Sequence, residues 1–265
     1  MDPIAQFKEN AKKAWSTFAL NETMNAAVAP RLVKVARITR DAKVLDVGSG
    51  TGVVALTAAR LGAQVTGLDL TPELVAHARE NASLMGLDVA FIEGDAEALP
   101  FADATFDFVV SQFGHIFAPR PEIAIGEMLR VLKPGGTIAF STWPPEHIVG
   151  KIFALVGKYG SPLPPGISPP PLWGDTNIVR ERLGDRVRDL HFARDAMMVP
   201  VLSPHHHRLT MEKNIGPLTR LVQVLEREDA SKLETLRREL DSLATAYFED
   251  NYVRQDFLVT RATKI

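Results

Sequence analysis

The segment at residues 43–52 constrains the fold of this 265-residue chain more than any other stretch. It begins with an apolar, β-branched run, continues through Asp46, and ends in three glycines that alternate with small hydroxyl residues. A helix-compatible run follows at residues 53–61. This order predicts a buried strand, a tight turn and a helix start, with glycine used where the backbone turns sharply and approaches a ligand. The free N–H groups of the helix N-terminus then face that ligand.

The spacing of the glycines distinguishes between classes of nucleotide-binding turn. Gly48, Gly50 and Gly52 form a G-x-G-x-G pattern. The G-x-G-x-x-G pattern of dinucleotide-binding folds needs its third glycine at the position that Val53 occupies. No lysine follows Gly52, which excludes a phosphate-binding P-loop. A turn for another ligand and a tight turn that binds nothing remain as alternatives.

Strand-like and helix-like segments alternate along the first half of the chain. Strands are predicted at residues 43–47, 64–68, 89–93, 106–111 and 137–142, with helices between them. Such alternation predicts a parallel, doubly wound sheet whose ligands bind beyond the carboxyl ends of the strands. Asp69, 19 residues after Gly50, has the spacing of an acid that binds ribose hydroxyls. The glycine turn, Asp69, Asp95 and residues 111–112 should therefore surround one crevice.

Two further motifs narrow the choice of family. Residues 94–101 read Gly-Asp-Ala-Glu-Ala-Leu-Pro-Phe, and residues 129–136 read Leu-Arg-Val-Leu-Lys-Pro-Gly-Gly. With the glycine turn and Asp69, they resemble class I S-adenosyl-L-methionine-dependent methyltransferases. The nearest group is methyltransferase type 11, which includes the ubiquinone and menaquinone biosynthesis methyltransferases. The resemblance covers residues 43–142. It implies an S-adenosyl-L-methionine cofactor and an α/β fold with a doubly wound, mostly parallel sheet of seven strands.

The resemblance also implies which residues contact the cofactor: Asp46, Gly48, Ser49, Gly50, Asp69, Leu70, Asp95, Ala96 and Ser111. In it, Asp95 accepts from the adenine amino group and the N–H of Ala96 meets the ring. A nicotinamide-dependent oxidoreductase has no such requirement, and Val53 also opposes that alternative. Base-flipping members carry N/D-P-P-Y/F where residues 111–114 here read Ser-Gln-Phe-Gly, which argues against an adenine-N6 nucleic-acid methylase.

Composition limits the classes of partner. The net charge of −2 gives no basic excess for nucleic acid or an anionic membrane. The absence of cysteine excludes disulfides, cysteine metal sites and a cysteine nucleophile, and suits a cytoplasmic protein. No signal peptide and no apolar run of membrane-spanning length is visible. Histidines 205–207 predict no metal site, because adjacent side chains point in different directions. The oligomeric state stays open.

The flanking segments give one domain, 1–265, with four parts. Residues 1–40 form two amphipathic helices, either packed on the sheet with Lys8, Lys12 and Lys13 on a solvated face or acting as a mobile lid. Residues 41–142 form the cofactor-binding core. Residues 143–175 hold a helix and a proline-rich loop on the substrate side. Residues 203–250, between predicted strands at 187–192 and 252–262, form a helical cap insertion.

The flanks predict a small, largely apolar methyl acceptor, because they supply aromatic residues and no dense basic patch. The segments at 7–20 and 162–173 should border its cavity, which is expected to include Phe113, Phe117, Trp143, Tyr159, Trp173 and Met211. A phenolic acceptor would need a base, and the candidates are His115, His147 and histidines 205–207. His115 is the first choice because it follows the fourth strand. A cofactor-binding regulatory protein without catalysis is the other alternative.

Overall fold

The structure is a computed structural model that describes residues 2–16 and 22–265. Its helices are α1 (Pro3–Trp15), α2 (Glu22–Ala36), α3 (Val53–Ala59), α4 (Pro72–Met85), α5 (Pro121–Val131), α6 (Ile148–Tyr159), α7 (Thr176–Leu183), α8 (Pro204–Asn214), α9 (Gly216–Glu228) and α10 (Ala230–Thr245). Its strands are β1 (Lys43–Val47), β2 (Gln64–Asp69), β3 (Ala90–Glu93), β4 (Phe106–Gln112), β5 (Leu132–Thr142), β6 (Val187–Pro200), β7 (Phe248–Glu249) and β8 (Tyr252–Lys264).

The strands form one mostly parallel sheet in the order β3-β2-β1-β4-β5-β8-β6. Strands β1 to β5 pair in parallel, and β8 runs antiparallel between β5 and β6. The chain winds outward from β1 to β3 and then returns to β4, so the strand order reverses between β1 and β4. That reversal is the position where doubly wound sheets bind ligands. The predicted α/β, doubly wound, mostly parallel fold is confirmed.

The sheet differs from the prediction by one strand. The described residues form eight strands rather than seven, because the two-residue β7 pairs with β8 beside the main path. Asp250 and Asn251 close this hairpin, with φ angles of 47° and 63°. Positive φ at both central residues is the geometry of tight hairpin turns, and aspartate and asparagine tolerate it. The Asp-Asn pair was therefore a turn signal that the sequence analysis missed.

The antiparallel end of the sheet is longer than predicted. Strand β6 continues to Pro200 instead of ending near residue 192, and it pairs with β8 along almost its whole length. Arg194 and Asp195 interrupt the apolar pattern, which hides the strand in the sequence. The paired strands β6 and β8 thereby carry the sheet to the helical insertion, where Met197 and Val199 become buried.

The core of the sheet is fixed by apolar residues that parallel strands bury on both faces. Val44, Leu45 and Val47 of β1 have no exposed surface. Helix α3 packs on β1 and β2, and α2 packs beside it on β4 and β5, where Leu32 and Val33 are buried. The rigid sheet positions the carboxyl ends of β1, β2 and β4 next to one another.

Helices α8, α9 and α10 form the predicted insertion between β6 and β8, here called the cap. Ser203 begins α8 by accepting a hydrogen bond from the N–H of His206 at 3.0 Å. Helices α9 and α10 each bury one apolar face, which in α10 consists of Leu233, Leu236 and Leu240. The cap also meets α1, since a Cβ on Gly216 would lie 2.4 Å from the carbonyl oxygen of Ala14. Helix α1 and the cap are therefore in direct contact.

Candidate active site

The glycine turn brings the end of β1 against the segment that follows β4. Gly48 and Gly50 have φ angles of 67° and 54°. A Cβ on Gly48 would lie 2.7 Å from the Cα of Gly114, so glycine is required there by the close approach of two backbones. A Cβ on Gly50 would meet no atom within 4 Å. The backbone at Gly50 therefore faces open space, as a turn that approaches a ligand requires.

Two buried carboxylates stand beside this turn. Asp69 accepts from the N–H of Gly50 at 2.8 Å and from the N–H of Thr71 at 2.9 Å, while burial raises its pKa. Asp46 accepts from the N–H of Ala55 at 3.1 Å through one oxygen. Its other oxygen, Oδ1, is buried without a hydrogen-bond partner among the described residues. Burial raises the pKa of Asp46 to about 7. An unpartnered carboxylate oxygen at this place suits a cationic or donating ligand group.

Asp95 follows β3 and is held by helix α1. One oxygen of Asp95 accepts from the N–H of Glu97 at 2.9 Å, and the other lies 2.5 Å from the Lys8 ammonium. Lys8 also lies 2.6 Å from Glu97, and Lys12 lies 2.9 Å from Glu93. The expectation of a purely solvated lysine face on α1 is therefore wrong, because Lys8 and Lys12 pair with acids at the end of β3.

One cavity of about 330 Å³ extends from the glycine turn to the cap. Most of the predicted cofactor residues line it: Asp46, Gly48, Ser49, Gly50, Asp69, Leu70, Asp95 and Ala96. Its remaining wall is largely apolar and comes from α1, α6, β6, the cap and the loop after β4. Within the described residues, no lysine or arginine lines it, and no group of three or more metal-ligating side chains is present. Among the helices of residues 2–16 and 22–265, none has the length and hydropathy of a membrane span.

Comparison with known proteins identifies the family. A family model described as a methyltransferase domain matches residues 45–140. The chain is 35% identical over 247 residues to the uncharacterized protein Rv1405c of Mycobacterium tuberculosis, covering 92% of this chain and 89% of that protein. It is 42% identical over 117 residues to the demethylmenaquinone methyltransferase of Thermus thermophilus, covering 43% of this chain and 53% of that enzyme. The chain belongs to the S-adenosyl-L-methionine-dependent methyltransferases.

A solved structure shows the same fold. The YcgJ protein of Bacillus subtilis superposes on this methyltransferase with a TM-score of 0.60 and 19% sequence identity. The match covers 90% of this chain and 98% of that structure. Because the identity is low, this likeness supports the fold and says nothing about the methyl acceptor.

Ser111 of the methyltransferase does not line the cavity, contrary to the cofactor contact expected for it. The side chain has no exposed surface. Its hydroxyl donates to the carbonyl of Val47 at 2.6 Å and accepts from the N–H of His115 at 3.0 Å. Ser111 therefore joins the end of β1 to the loop after β4 and positions the glycine turn. The neighbouring Gln112 lines the cavity instead.

His115 was the predicted base, and the structure places it outside the cavity wall. Its side chain is 1% exposed and packs against Phe140 and Trp173, each with a ring distance of 4.7 Å. Neither ring nitrogen has a hydrogen-bond partner among the described residues. Burial, with the nearby charge of Arg182, lowers the pKa of His115 to about 3. The structure therefore gives no support to His115 as the base, because its ring does not reach the cavity.

The backbone after β4 explains why His115 turns away. Phe113 has a φ angle of 60°, which ends the alternation of the strand, and a short 3₁₀ turn at His115–Phe117 follows. The ring of Phe113 consequently stacks on Trp143 at 3.9 Å in the cavity wall, while His115 enters the core. A non-glycine residue with positive φ is uncommon, so the sequence did not indicate this reversal.

The proline-rich loop does not border the cavity either. None of residues 161–174 lines the cavity. Trp173 is 1% exposed, and the guanidinium of Arg182 lies 4.4 Å from its ring. Tyr159 is also absent from the wall and donates to Glu239 at 2.8 Å. Of the predicted aromatic and methionine wall, the structure confirms Phe113, Phe117, Trp143 and Met211. Helix α1 contributes Ala11 and Trp15, whereas Phe18 lies outside the described residues.

Two polar residues at the cap end were missed as a pair. His207 of α8 is 2% exposed, and Gln255 of β8 is 9% exposed. Both line the cavity, and their Nε2 atoms lie 3.3 Å apart. Burial lowers the pKa of His207 to about 4. The available signal was Gln255 itself, because it is a polar residue on the same face of the strand as the buried Val253 and Phe257.

Proposed function

We propose that this methyltransferase transfers the methyl group of S-adenosyl-L-methionine to a small, largely apolar acceptor bound between the glycine turn and the cap. The observation that carries the proposal is the single cavity whose wall contains both the expected cofactor residues and the apolar surface of the cap. A pocket with apolar walls and few polar groups is typical of a small-molecule site.

The residues at the glycine turn fit the cofactor. The unpartnered oxygen of Asp46 suits the ammonium of its methionine part, and the open space at Gly50 allows the close approach of its backbone. Asp69 would bind the ribose hydroxyls, and Asp95 with the N–H of Ala96 would bind the adenine. Each carboxylate oxygen has two acceptor positions, so Asp69 and Asp95 keep acceptor capacity beyond the bonds described above.

The protein contributes mainly orientation and exclusion of water. When bound, the cofactor supplies a sulfonium that already carries the methyl group and its leaving group. The walls must hold the acceptor atom in line with that methyl, and such positioning contributes up to about 7–11 kcal/mol. Trp15 packs on Phe117 at 4.5 Å, and Phe113 stacks on Trp143 at 3.9 Å. These rigid rings limit the orientations of a small ligand.

The charges of the wall favour an acceptor that is not strongly anionic. The acids of the wall are the three at the cofactor end, and the described residues place no cationic side chain of lysine or arginine there. A phosphate-rich acceptor such as RNA would lose its hydration without gaining a counter-charge. A neutral, apolar molecule loses little hydration and gains contact area.

Calorimetry and turnover test the proposal together. S-adenosylmethionine and S-adenosylhomocysteine should both bind to the purified protein, and NAD should not. Formation of S-adenosylhomocysteine should then be measured with a panel of small apolar phenols, alcohols and amines and with RNA. We expect turnover with a member of the small-molecule panel. Tighter binding of NAD than of S-adenosylmethionine, or methylation of RNA alone, would overturn the proposal.

A further inference from the structure

The apolar wall of the cavity is interrupted at the cap end by the pair His207 and Gln255. Two nitrogens face each other across 3.3 Å, so one must accept. Either the Gln255 amide donates to a neutral His207 ring, or the amide is turned and its oxygen accepts from the ring N–H. In both arrangements the pair carries hydrogen-bonding groups into a wall that is largely apolar in this region.

The other polar side chains nearby are engaged with the backbone. His206 accepts from the N–H of Leu202 at 3.1 Å through Nδ1, and the hydroxyl of Thr210 donates to the carbonyl of His206 at 2.9 Å. Both residues line the cavity, but these bonds hold the start of α8 and the strand end before it. His207 and Gln255, by contrast, come from separate elements and meet only at the cavity.

The pair lies away from the place where methyl transfer is expected. Gln255 and Phe257 share one face of β8, and residues two apart on a strand are separated by about 7 Å. Phe257 makes edge contacts with Phe113 at 5.9 Å and with Trp143 at 6.3 Å. Phe113 directly precedes Gly114, which contacts Gly48 of the glycine turn. Along β8, the pair is therefore set off by about 7 Å from Phe257, the residue that touches these rings.

We propose that His207 and Gln255 form a hydrogen-bonding subsite that selects acceptors with a neutral hydroxyl or carbonyl group at the end opposite to the methylated atom. The inference rests on the proposed function, because it names the substrate class of the same cavity. A bound group of this kind would hydrogen-bond to the pair, whereas a plain hydrocarbon would bury the pair without a new partner. A site built to hydrogen-bond a substrate group discriminates strongly against the analogue that lacks it.

The charge state of the subsite supports a neutral ligand group. Because burial lowers the pKa of His207 to about 4, the ring is neutral near pH 7 and can either donate or accept. The wall has no lysine or arginine among the described residues to receive a carboxylate, and its acids, Asp46, Asp69 and Asp95, belong to the cofactor end. A hydroxyl or carbonyl is the group that this end of the cavity satisfies.

A matched pair of probes tests the subsite. 2-Naphthol and naphthalene differ by one hydroxyl. Their dissociation constants should be measured by calorimetry on protein saturated with S-adenosylhomocysteine. We expect the selectivity for 2-naphthol over naphthalene to fall about tenfold or more in His207→Phe and in Gln255→Met. Both substitutions keep the approximate shape of the side chain and remove its hydrogen-bonding atoms. His207→Asn should recover part of the selectivity.

His205→Ala is the matched control, because His205 belongs to the same histidine run but its side chain is 61% exposed and faces Asp241. It should leave the selectivity unchanged. The affinity for S-adenosylhomocysteine and the melting temperature, measured for every variant, report whether the fold and the cofactor end are intact. If the wild type fails to bind S-adenosylhomocysteine, the proposed function fails, and the selectivity is then measured on the unloaded protein.

Two results would overturn the inference. The first is equal selectivity in the wild type, His207→Phe and Gln255→Met while the cofactor end stays intact. The second concerns an acceptor found in the turnover panel. If His207→Phe lowers kcat and changes its pH profile while KM stays constant, His207 acts at the reacting atom and not at a remote subsite. A raised KM with nearly constant kcat is the expected result.

Discussion

The cofactor end and the acceptor end of the cavity are built by different means. At the cofactor end, Asp46 and Asp69 lie at the carboxyl ends of β1 and β2, and the glycine turn and Asp95 follow β1 and β3, so each contact belongs to a short sequence motif. At the acceptor end, single apolar side chains come from α1, α6, β6 and the cap. The match to the Thermus thermophilus enzyme covers 43% of the chain, whereas the match to Rv1405c covers 92%. The methyltransferase family model, which matches residues 45–140, covers the cofactor end and stops before the cap.

The largest expected effect comes from a substitution at Gly48, where two backbones of the cofactor end approach each other closely. Gly48→Ala places a Cβ 2.7 Å from the Cα of Gly114 at a φ of 67°. The left-handed conformation costs about 1–2 kcal/mol and the clash about 1–3 kcal/mol more. We expect a clear fall in melting temperature and loss of S-adenosylhomocysteine binding by calorimetry.

Gly126→Ala is the control for that substitution, because a Cβ there meets no atom within 4 Å. Gly126 lies inside α5, where alanine should stabilise the protein by about 0.5–1 kcal/mol. A stable Gly48→Ala protein that binds the cofactor normally would show that the close approach of β1 and the β4 loop is dispensable.

The next effect concerns the carboxylates of the cofactor end alone. Asp69→Ala removes an acceptor for Gly50, for Thr71 and, in our proposal, for the ribose hydroxyls. A hydrogen bond to a charged group contributes about 1.5–3 kcal/mol, which corresponds to about tenfold weaker binding or more. Calorimetry with S-adenosylhomocysteine measures this, and Asp103→Ala, an exposed acid paired with Arg130, is the control. Unchanged affinity in Asp69→Ala would remove Asp69 from the cofactor site.

The sequence predicted these two ends unequally for a physical reason. In a parallel sheet the topology alone brings the ends of neighbouring strands together, so the order of the strands predicted that the glycine turn, Asp69 and Asp95 meet, and the family resemblance added Asp46. The side-chain direction after β4 depends on the positive φ of Phe113, which directs His115 into the core. Ser111 lies within β4, where the alternation of the strand turns Gln112 to the cavity instead. At the acceptor end, Gln255 and His207 are 48 residues apart and meet only through tertiary packing. No local pattern records such a contact.

The pH dependence of stability distinguishes the buried histidine His115 from the buried carboxylate Asp46 at the cofactor end. His115 has a pKa lowered to about 3, so below pH 6.5 the unfolded chain binds a proton that the folded protein does not. Stability therefore falls as the pH falls, by about 2 kcal/mol between pH 7 and pH 5 from this group. Asp46, with a pKa raised to about 7, acts in the opposite direction, because between pH 3.8 and about 7 the folded protein binds the extra proton.

Comparison of His115→Phe with the wild type isolates the histidine, since Asp46 is present in both. Urea unfolding at pH 7 and pH 5 should show the wild type losing about 2 kcal/mol relative to the variant. Turnover at pH 7 on any acceptor found in the panel should be retained, because His115 lies outside the cavity wall. A variant that folds but has lost turnover by a hundredfold would restore His115 as the base.

The smallest expected effect concerns helix α1, which contacts both ends of the cavity. Lys8 pairs with Asp95 and Glu97 at the cofactor end, while Trp15 of the same helix packs on Phe117 in the wall of the acceptor end. Lys8→Met should weaken this attachment by about 1 kcal/mol, since the pair is partly exposed. Hydrogen exchange should then be faster in residues 3–15 and unchanged in residues 161–174, which lie outside the wall.

Lys13→Met, a substitution at an exposed position of the same helix, is the control and should change neither segment. Binding of S-adenosylhomocysteine should slow exchange in residues 3–15 of the wild type. The ligand would contact Asp95, which pairs with Lys8, and would fill the cavity beside Trp15. The proline-rich loop at residues 161–174 should show equal exchange with and without the ligand. If the loop responds and α1 does not, the closing element is the loop, and the acceptor end reaches further than its present wall indicates.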